Sequence, residues 1–256
     1  MKSAPWRPVY TCLSYHEGID GGTIHLWQVE LDAAEECIAP LRALLSPDET
    51  ARMERFYTEQ LRRDFAIAHG CLRALLGRHL AVEPATIQFT YSERGKPRVK
   101  GIEFSLSHAG SLMAVAVAEG CEVGVDIEKI RPMNDLDRIA GRFFSPDEAA
   151  DLRSLPESDR EAAFFHCWTR KEAFVKATGE GLYAALETFR TTLRPGEEAR
   201  MLYVGGDPDA AREWQMHAFA PAPGYAGALV YRGAPRNVEQ FTRNPCELLQ
   251  PRPGGR

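Results

Sequence analysis

The chain has 256 residues, 44% hydrophobic and 26% charged, with a formal net charge of −5, the composition of a soluble globule with one large core or two small ones. Basic and acidic residues are interspersed, which excludes a polybasic nucleic-acid groove or membrane patch, and apolar runs such as residues 112–118 are too short to span a bilayer. The six cysteines, at 12, 37, 71, 121, 167 and 246, form no CxxC pair and no zinc-like spacing, and MKSAPWRPVYTC lacks a secretory apolar stretch, so the expectation is reduced thiols in a cytoplasmic protein.

In chain order, a strand is expected from Thr23 to Glu30. The segment LLSPDETARM from residue 44 then offers Ser46 as N-cap, Pro47 at the first helical position and Glu49 to close a capping box. A longer helix follows in RRDFAIAHGCLRALLGRHL from Arg62. Arg52, Arg55, Arg62, Arg63 and Arg73 lie along these two helices as a solvated face from which one or two can reach a phosphate. Strands are expected over Ala85 to Tyr91, Ile102 to Leu106 and Leu112 to Ala118. Between them, ERGKPRVKGIEFSLSHAG puts Lys96 after a glycine turn, although GKP is not a Walker loop. Ser107, His108 and the amides of the turn from Ala109 to Ser111 can donate hydrogen bonds to a phosphate. Glu119 and Gly120 predict a hairpin turn, taken as the seam between an N-terminal half (1–119) and a C-terminal half (120–232), with a ligand cleft at the seam.

The strand from Val123 to Ile127 alternates, with Gly124, Asp126 and Glu128 on one face. Two residues along a strand span roughly 6.7 Å, so both carboxylates can converge on one ion. FFSPDEAADL from residue 143 repeats the earlier cap, with Ser145 and Glu148 in the roles of Ser46 and Glu49, and reads as an internal repeat. A helix follows from Asp159 to Ala177. Phe164, Trp168 and Val175 share one arc of it facing the core, and Lys171 falls inside that arc, where a carboxylate or a phosphate must meet it. Glu172 and Lys176, four apart, sit at the arc's edge; alone they would make an ordinary exposed ion pair, and Trp168 reads as core. Strands over Glu187 to Leu193, Met201 to Val204, Trp214 to Ala220 and Tyr225 to Tyr231 complete a mixed α/β chain. The Pro- and Gly-rich segment 233–256 is expected to be a loose tail.

Three acids, Asp126, Glu128 and Glu172, suit a hard divalent cation with oxygen ligands, magnesium or manganese alike. The motifs GVDIEKI and WTRKEAFVKATGEGL, with RFY at 55–57, GKP at 95–97, FSLSHAG at 104–110 and RFFSPDE at 142–148, resemble in order and spacing the signature of Sfp-type 4'-phosphopantetheinyl transferases over about residues 40 to 190. The resemblance implies two similar α/β halves related by a pseudo-twofold axis, with coenzyme A at the seam. It implies that Asp126, Glu128 and Glu172 hold magnesium on the pyrophosphate and that Lys171 and Lys176 meet its phosphates. Lys96, Ser107 and His108 would bind the nucleotide end. Asp64 stands where the family has an arginine, and Glu49 where it sometimes has a lysine, so Arg63 and Arg52 take those contacts.

By the same resemblance, a serine of an apo acyl- or peptidyl-carrier protein attacks the β-phosphate, with Glu172 as proton acceptor and Lys176 stabilising charge. A monomer suffices, and neither nucleic acid nor membrane is a partner. The rival readings are a catalytically silent module binding coenzyme A or carrier, and a magnesium-dependent nucleotide phosphodiesterase.

Overall fold

The computed structural model describes residues 21–181 and 185–250. Cys12, the N-terminal dodecapeptide and Leu182 of the second motif lie outside them. The chain divides into two compact units.

The first, mostly helical unit takes in Asp32–Gln88 and the segment from Asn244. It holds α1 (Glu35–Ala43), α2 (Pro47–Glu54), α3 (Glu59–Leu80) and, from the far end of the chain, α8 (Pro245–Leu249). Helix α2 begins as expected: Ser46 Oγ accepts from the Glu49 amide, and Glu49 Oε2 accepts from the Ser46 amide. Glu49 is buried, where Arg73 Nε donates to it at 2.5 Å and His69 Nδ1 lies 3.1 Å away. Burial alone would raise the Glu49 carboxyl, but His69, the Ser46 amide and Arg73 together hold it at about 2, below its ordinary 4.5. A carboxyl depressed in the folded state stabilises the fold above its unfolded value, and that contribution is lost as pH falls towards the folded value. The stability gap between wild type and Glu49→Gln, from urea melts, is therefore expected to shrink between about pH 4.5 and about pH 2.

The second unit, Phe89–Arg243 with the segment ending at Leu31, is built on β-sheet. Its elements are β1 (Thr23–Glu30), β2 (Thr90–Tyr91), β3 (Pro97–Arg98), β4 (Glu103–Ala109), β5 (Leu112–Ala118), β6 (Val123–Lys129), α4 (Leu136–Phe143), α5 (Pro146–Ser154), α6 (Glu157–Thr178), β7 (Phe189–Thr191), β8 (Met201–Val204), α7 (Pro208–Ala211), β9 (Trp214–Phe219), β10 (Tyr225–Arg232) and β11 (Asn237–Arg243). One sheet runs β11-β1-β5-β4 and another β6-β10-β9. Every residue of β5 is buried, as befits the apolar run of a central strand. Val123, Val125 and Ile127 of β6 join Leu26, Ala116 and Tyr231 in a shared core, which turns Gly124, Asp126 and Glu128 the other way.

Three expectations are corrected. The turn at Glu119 and Gly120 joins no hairpin, because β5 pairs with β1 and β4 while β6 pairs with β10. It therefore links two sheets inside one unit. Residues 237–249 are not loose: β11 pairs in parallel with β1, its Phe241 stacks on buried Trp27 at 4.4 Å, and α8 follows with its own capping box. Nor are all cysteines reduced. Cys37 and Cys246 form a disulfide, bringing α8 to α1, while Cys71, Cys121 and Cys167 are free and buried. Among the described residues no helix is long and apolar enough to cross a membrane.

Candidate active site

The site forms where α6 lies against the polar face of β6. The contact is close because position 124 is glycine: a Cβ there would fall 2.0 Å from Ala173 O and 2.4 Å from Ala177 N of α6. The same place is tied by Lys96, whose Nζ donates to Val123 O at 3.2 Å and Ala177 O at 2.9 Å. Burial lowers the Lys96 ammonium from its ordinary value.

Asp126, one step along the same face of β6 and 5% exposed, meets Lys176 of α6. Lys176 Nζ and Ser107 Oγ both donate to Asp126 Oδ1 at 2.7 Å, and Oδ2 is buried without a hydrogen-bond partner. Glu128 and Glu172 are half-buried nearby, and Lys176 reaches across to Asp126 in place of a pair with Glu172. Burial pushes all three carboxyls up, and the Asp126 charge raises Glu128 and Glu172 further. Lys176 pulls all three the other way.

Among the described residues no three acidic, imidazole or thiol side chains are already gathered tightly enough to hold a metal ion. The chemistry of the donors nonetheless fits a hard divalent cation: an orphaned buried carboxylate oxygen, with two further carboxyls close enough that the Asp126 charge raises both. Beside them opens a cavity of about 560 Å³, lined by Lys96, Phe104, Trp168, Glu172, Lys176 and Leu186 among others. That size is usual for a site that takes a small molecule. Trp168, expected in the core, is only partly buried and forms part of this wall.

Lys171 does not reach the cavity. It is 0% exposed, its Nζ ion-paired with Glu148 Oε2 at 2.7 Å and donating to Leu186 O and Phe189 O at 2.8 and 2.7 Å. All three ammonium protons are thus engaged, and the expected phosphate contact gives way to a buried structural pair. Glu148 also caps α5 and accepts from the Thr191 amide. Lys171→Met is expected to lose about 3–5 kcal/mol, because Glu148 is left as an uncompensated buried charge. Urea melts check this, with Lys171→Met/Glu148→Gln expected to recover much of it; a stable single variant with weakened coenzyme A binding would restore the phosphate role.

His108, near the end of β4, is exposed, while Phe104, Ser105 and Leu106 of the same strand line the cavity. Arg52 and Arg63 belong to the helical unit. Arg52 lies over the Phe65 ring at 5.6 Å, and Arg63 pairs with Glu35 at 2.5 Å and donates to Ala33 O. The sequence reading missed what Ser107 does for Asp126 and what Lys96 does between β6 and α6. The positions of both in motifs were visible, but contacts across elements have no local signal.

A family model described as the 4'-phosphopantetheinyl transferase superfamily matches residues 122–230. Over 216 residues the chain is 39% identical to the 4'-phosphopantetheinyl transferase HetI of a Nostoc species, an alignment covering 82% of this chain and 88% of that protein. The chain belongs to the 4'-phosphopantetheinyl transferase family. Psf-1 of Bacillus pumilus, also named a 4'-phosphopantetheinyl transferase, is 34% identical over 231 residues, 88% of this chain and 95% of its own. Sfp of Bacillus subtilis is 27% identical over 190 residues, 73% and 82% of the two chains. In this phosphopantetheinyl transferase, the matched segment begins just before β6 and contains all three acids and Lys176.

Proposed function

We propose that the cavity beside β6 and α6 binds coenzyme A and that the chain transfers its 4'-phosphopantetheine to a serine of an apo carrier protein, releasing adenosine 3',5'-bisphosphate. The observation that carries this reading is the unpartnered, buried Asp126 Oδ2 beside an ammonium and two further acids at the cavity's edge. Asp126, Glu128 and Glu172 would hold magnesium or manganese, which neutralises charge on a pyrophosphate.

The chain's own groups supply the rest. Glu172, half-buried beside Asp126 and Lys176, is the acceptor for the serine proton. Lys176 offers positive charge where negative charge develops. Lys96, with two of its three protons held by carbonyls, has one left for the nucleotide end, and His108 is proposed for the same end on the motif match. Arg52 and Arg63 are proposed for the adenosine end on the motif match.

The test is intact-protein mass spectrometry of apo carrier proteins incubated with the chain, coenzyme A and magnesium, with and without chelator. A chelator-sensitive gain of one phosphopantetheinyl group is expected. Adenosine bisphosphate released without any carrier would replace this reading with a phosphodiesterase. Coenzyme A raising the melting temperature, with no carrier modified, would replace it with a binding module.

A further inference from the structure

We infer that Ser107 is a positioning residue for the Asp126 carboxylate, holding Oδ1 so that Oδ2 is the oxygen offered to the divalent cation. The inference rests on the proposed role of Asp126 as a metal ligand. A serine hydroxyl carries one proton, and that of Ser107 goes to Asp126 Oδ1 at 2.7 Å. One of its lone pairs accepts the Ile127 amide at 3.3 Å. No proton is left to give a nucleotide phosphate, an acceptor that demands donors. The side chain is also buried at 6% exposure, between β4 and β6.

For Asp126 the result is a carboxylate gripped at one oxygen from two elements, by Ser107 of β4 and by Lys176 of α6. With Oδ1 fixed by two donors, the carboxylate cannot turn freely, and the direction of Oδ2 is set before any ligand arrives. Groups that orient a metal-binding carboxylate in this way typically change metal affinity by about 10- to 100-fold when removed.

Ser105 supplies an internal comparison. It lies two residues earlier on the same face of β4, is equally buried, and its hydroxyl accepts the Val125 amide at 3.0 Å. It makes the same kind of bridge from β4 to β6 without the bond that Ser107 makes to Asp126.

The experiment is titration of the full chain with manganese followed by electron paramagnetic resonance, with and without coenzyme A, for wild type, Ser107→Ala, Ser107→Thr and Ser105→Ala. Steady-state kinetics at varied metal and varied coenzyme A accompany it. Ser107→Ala is expected to weaken manganese binding by about 10- to 100-fold, and to raise the metal concentration needed for half-maximal rate. At saturating metal its KM for coenzyme A should be unchanged, and Ser107→Thr, which keeps the hydroxyl, should recover most of the affinity. Ser105→Ala should lower the melting temperature and leave manganese affinity as it was. Wild-type manganese affinity in Ser107→Ala, with a raised KM for coenzyme A, would overturn the inference in favour of a nucleotide contact. An equal loss of manganese affinity in Ser105→Ala would reduce Ser107 to a structural bridge. If the wild-type chain takes up no manganese in either condition, the metal role of Asp126 fails and this inference with it.

Discussion

Asp126→Ala is expected to lower phosphopantetheinyl transfer by about a thousandfold or more while leaving the protein folded. The carboxylate is the point at which β4, β6 and α6 meet: it takes donors from Ser107 and Lys176 at one oxygen and leaves the other buried and unpartnered. On the proposed metal role its removal would deprive the cation of a ligand, and it lets the Lys176 ammonium move off its station. The fold should survive, because the side chain of Lys176 is 30% exposed and can be solvated, and Ser107 keeps the Ile127 amide. Turnover by mass spectrometry and thermal melts by circular dichroism, on the same preparation, decide the matter. Near-normal turnover with an unchanged melt would remove Asp126 from the chemistry.

A large loss of stability is expected from Gly124→Ala. The added methyl would overlap Ala173 O and Ala177 N, both backbone atoms of α6, so no side-chain rotation relieves it and the helix itself must move. Overpacking typically costs about 1–3 kcal/mol, and a clash with backbone belongs at the upper end of that range, on the order of a 10 °C fall in melting temperature for a chain this long. Since α6 carries Glu172 and Lys176, any folded fraction should also turn over slowly. Gly141→Ala is the control: Gly141 lies inside α4, where a methyl would meet no described atom within 4 Å, and alanine there should gain about 0.5–1 kcal/mol through helix propensity. Parallel melts of the two variants test the contrast, and a Gly124→Ala protein as stable as wild type would show that α6 does not depend on this close approach.

What the sequence made legible was mostly local. The two capping boxes form as read, each with its serine and glutamate in reciprocal bonds, and each precedes a 22-residue helix. Strands β1, β5 and β8 have the expected bounds, because their apolar residues recur with a clear period or as an unbroken run. The alternation of β6 put Asp126 and Glu128 on one face, and the structure keeps them there. What escaped was decided by partners remote in sequence. NVEQFTR reads as polar, and only Val238, Phe241 and Arg243 are partly buried, yet it becomes β11 because the edge of β1 is open to a parallel strand. Lys171 was recognised as needing a counter-charge, but nothing in its own helix says that Glu148 of the preceding cap supplies it. The Cys37–Cys246 bond spans 209 residues, beyond anything spacing can disclose.

The helical unit draws on two distant stretches of the chain, since α1 to α3 are made after β1 but before every other strand, and α8 after the last of them. Arg78 of α3 donates to the carbonyls of Glu247, Leu248 and Gln250, and those acceptors leave the ribosome only when β11 has already been made. During synthesis the first three helices must therefore wait, with part of their surface uncovered, while the sheet unit from β2 to β11 is translated. Nascent chains halted short of α8 should be the ones that chaperones and proteases find most readily.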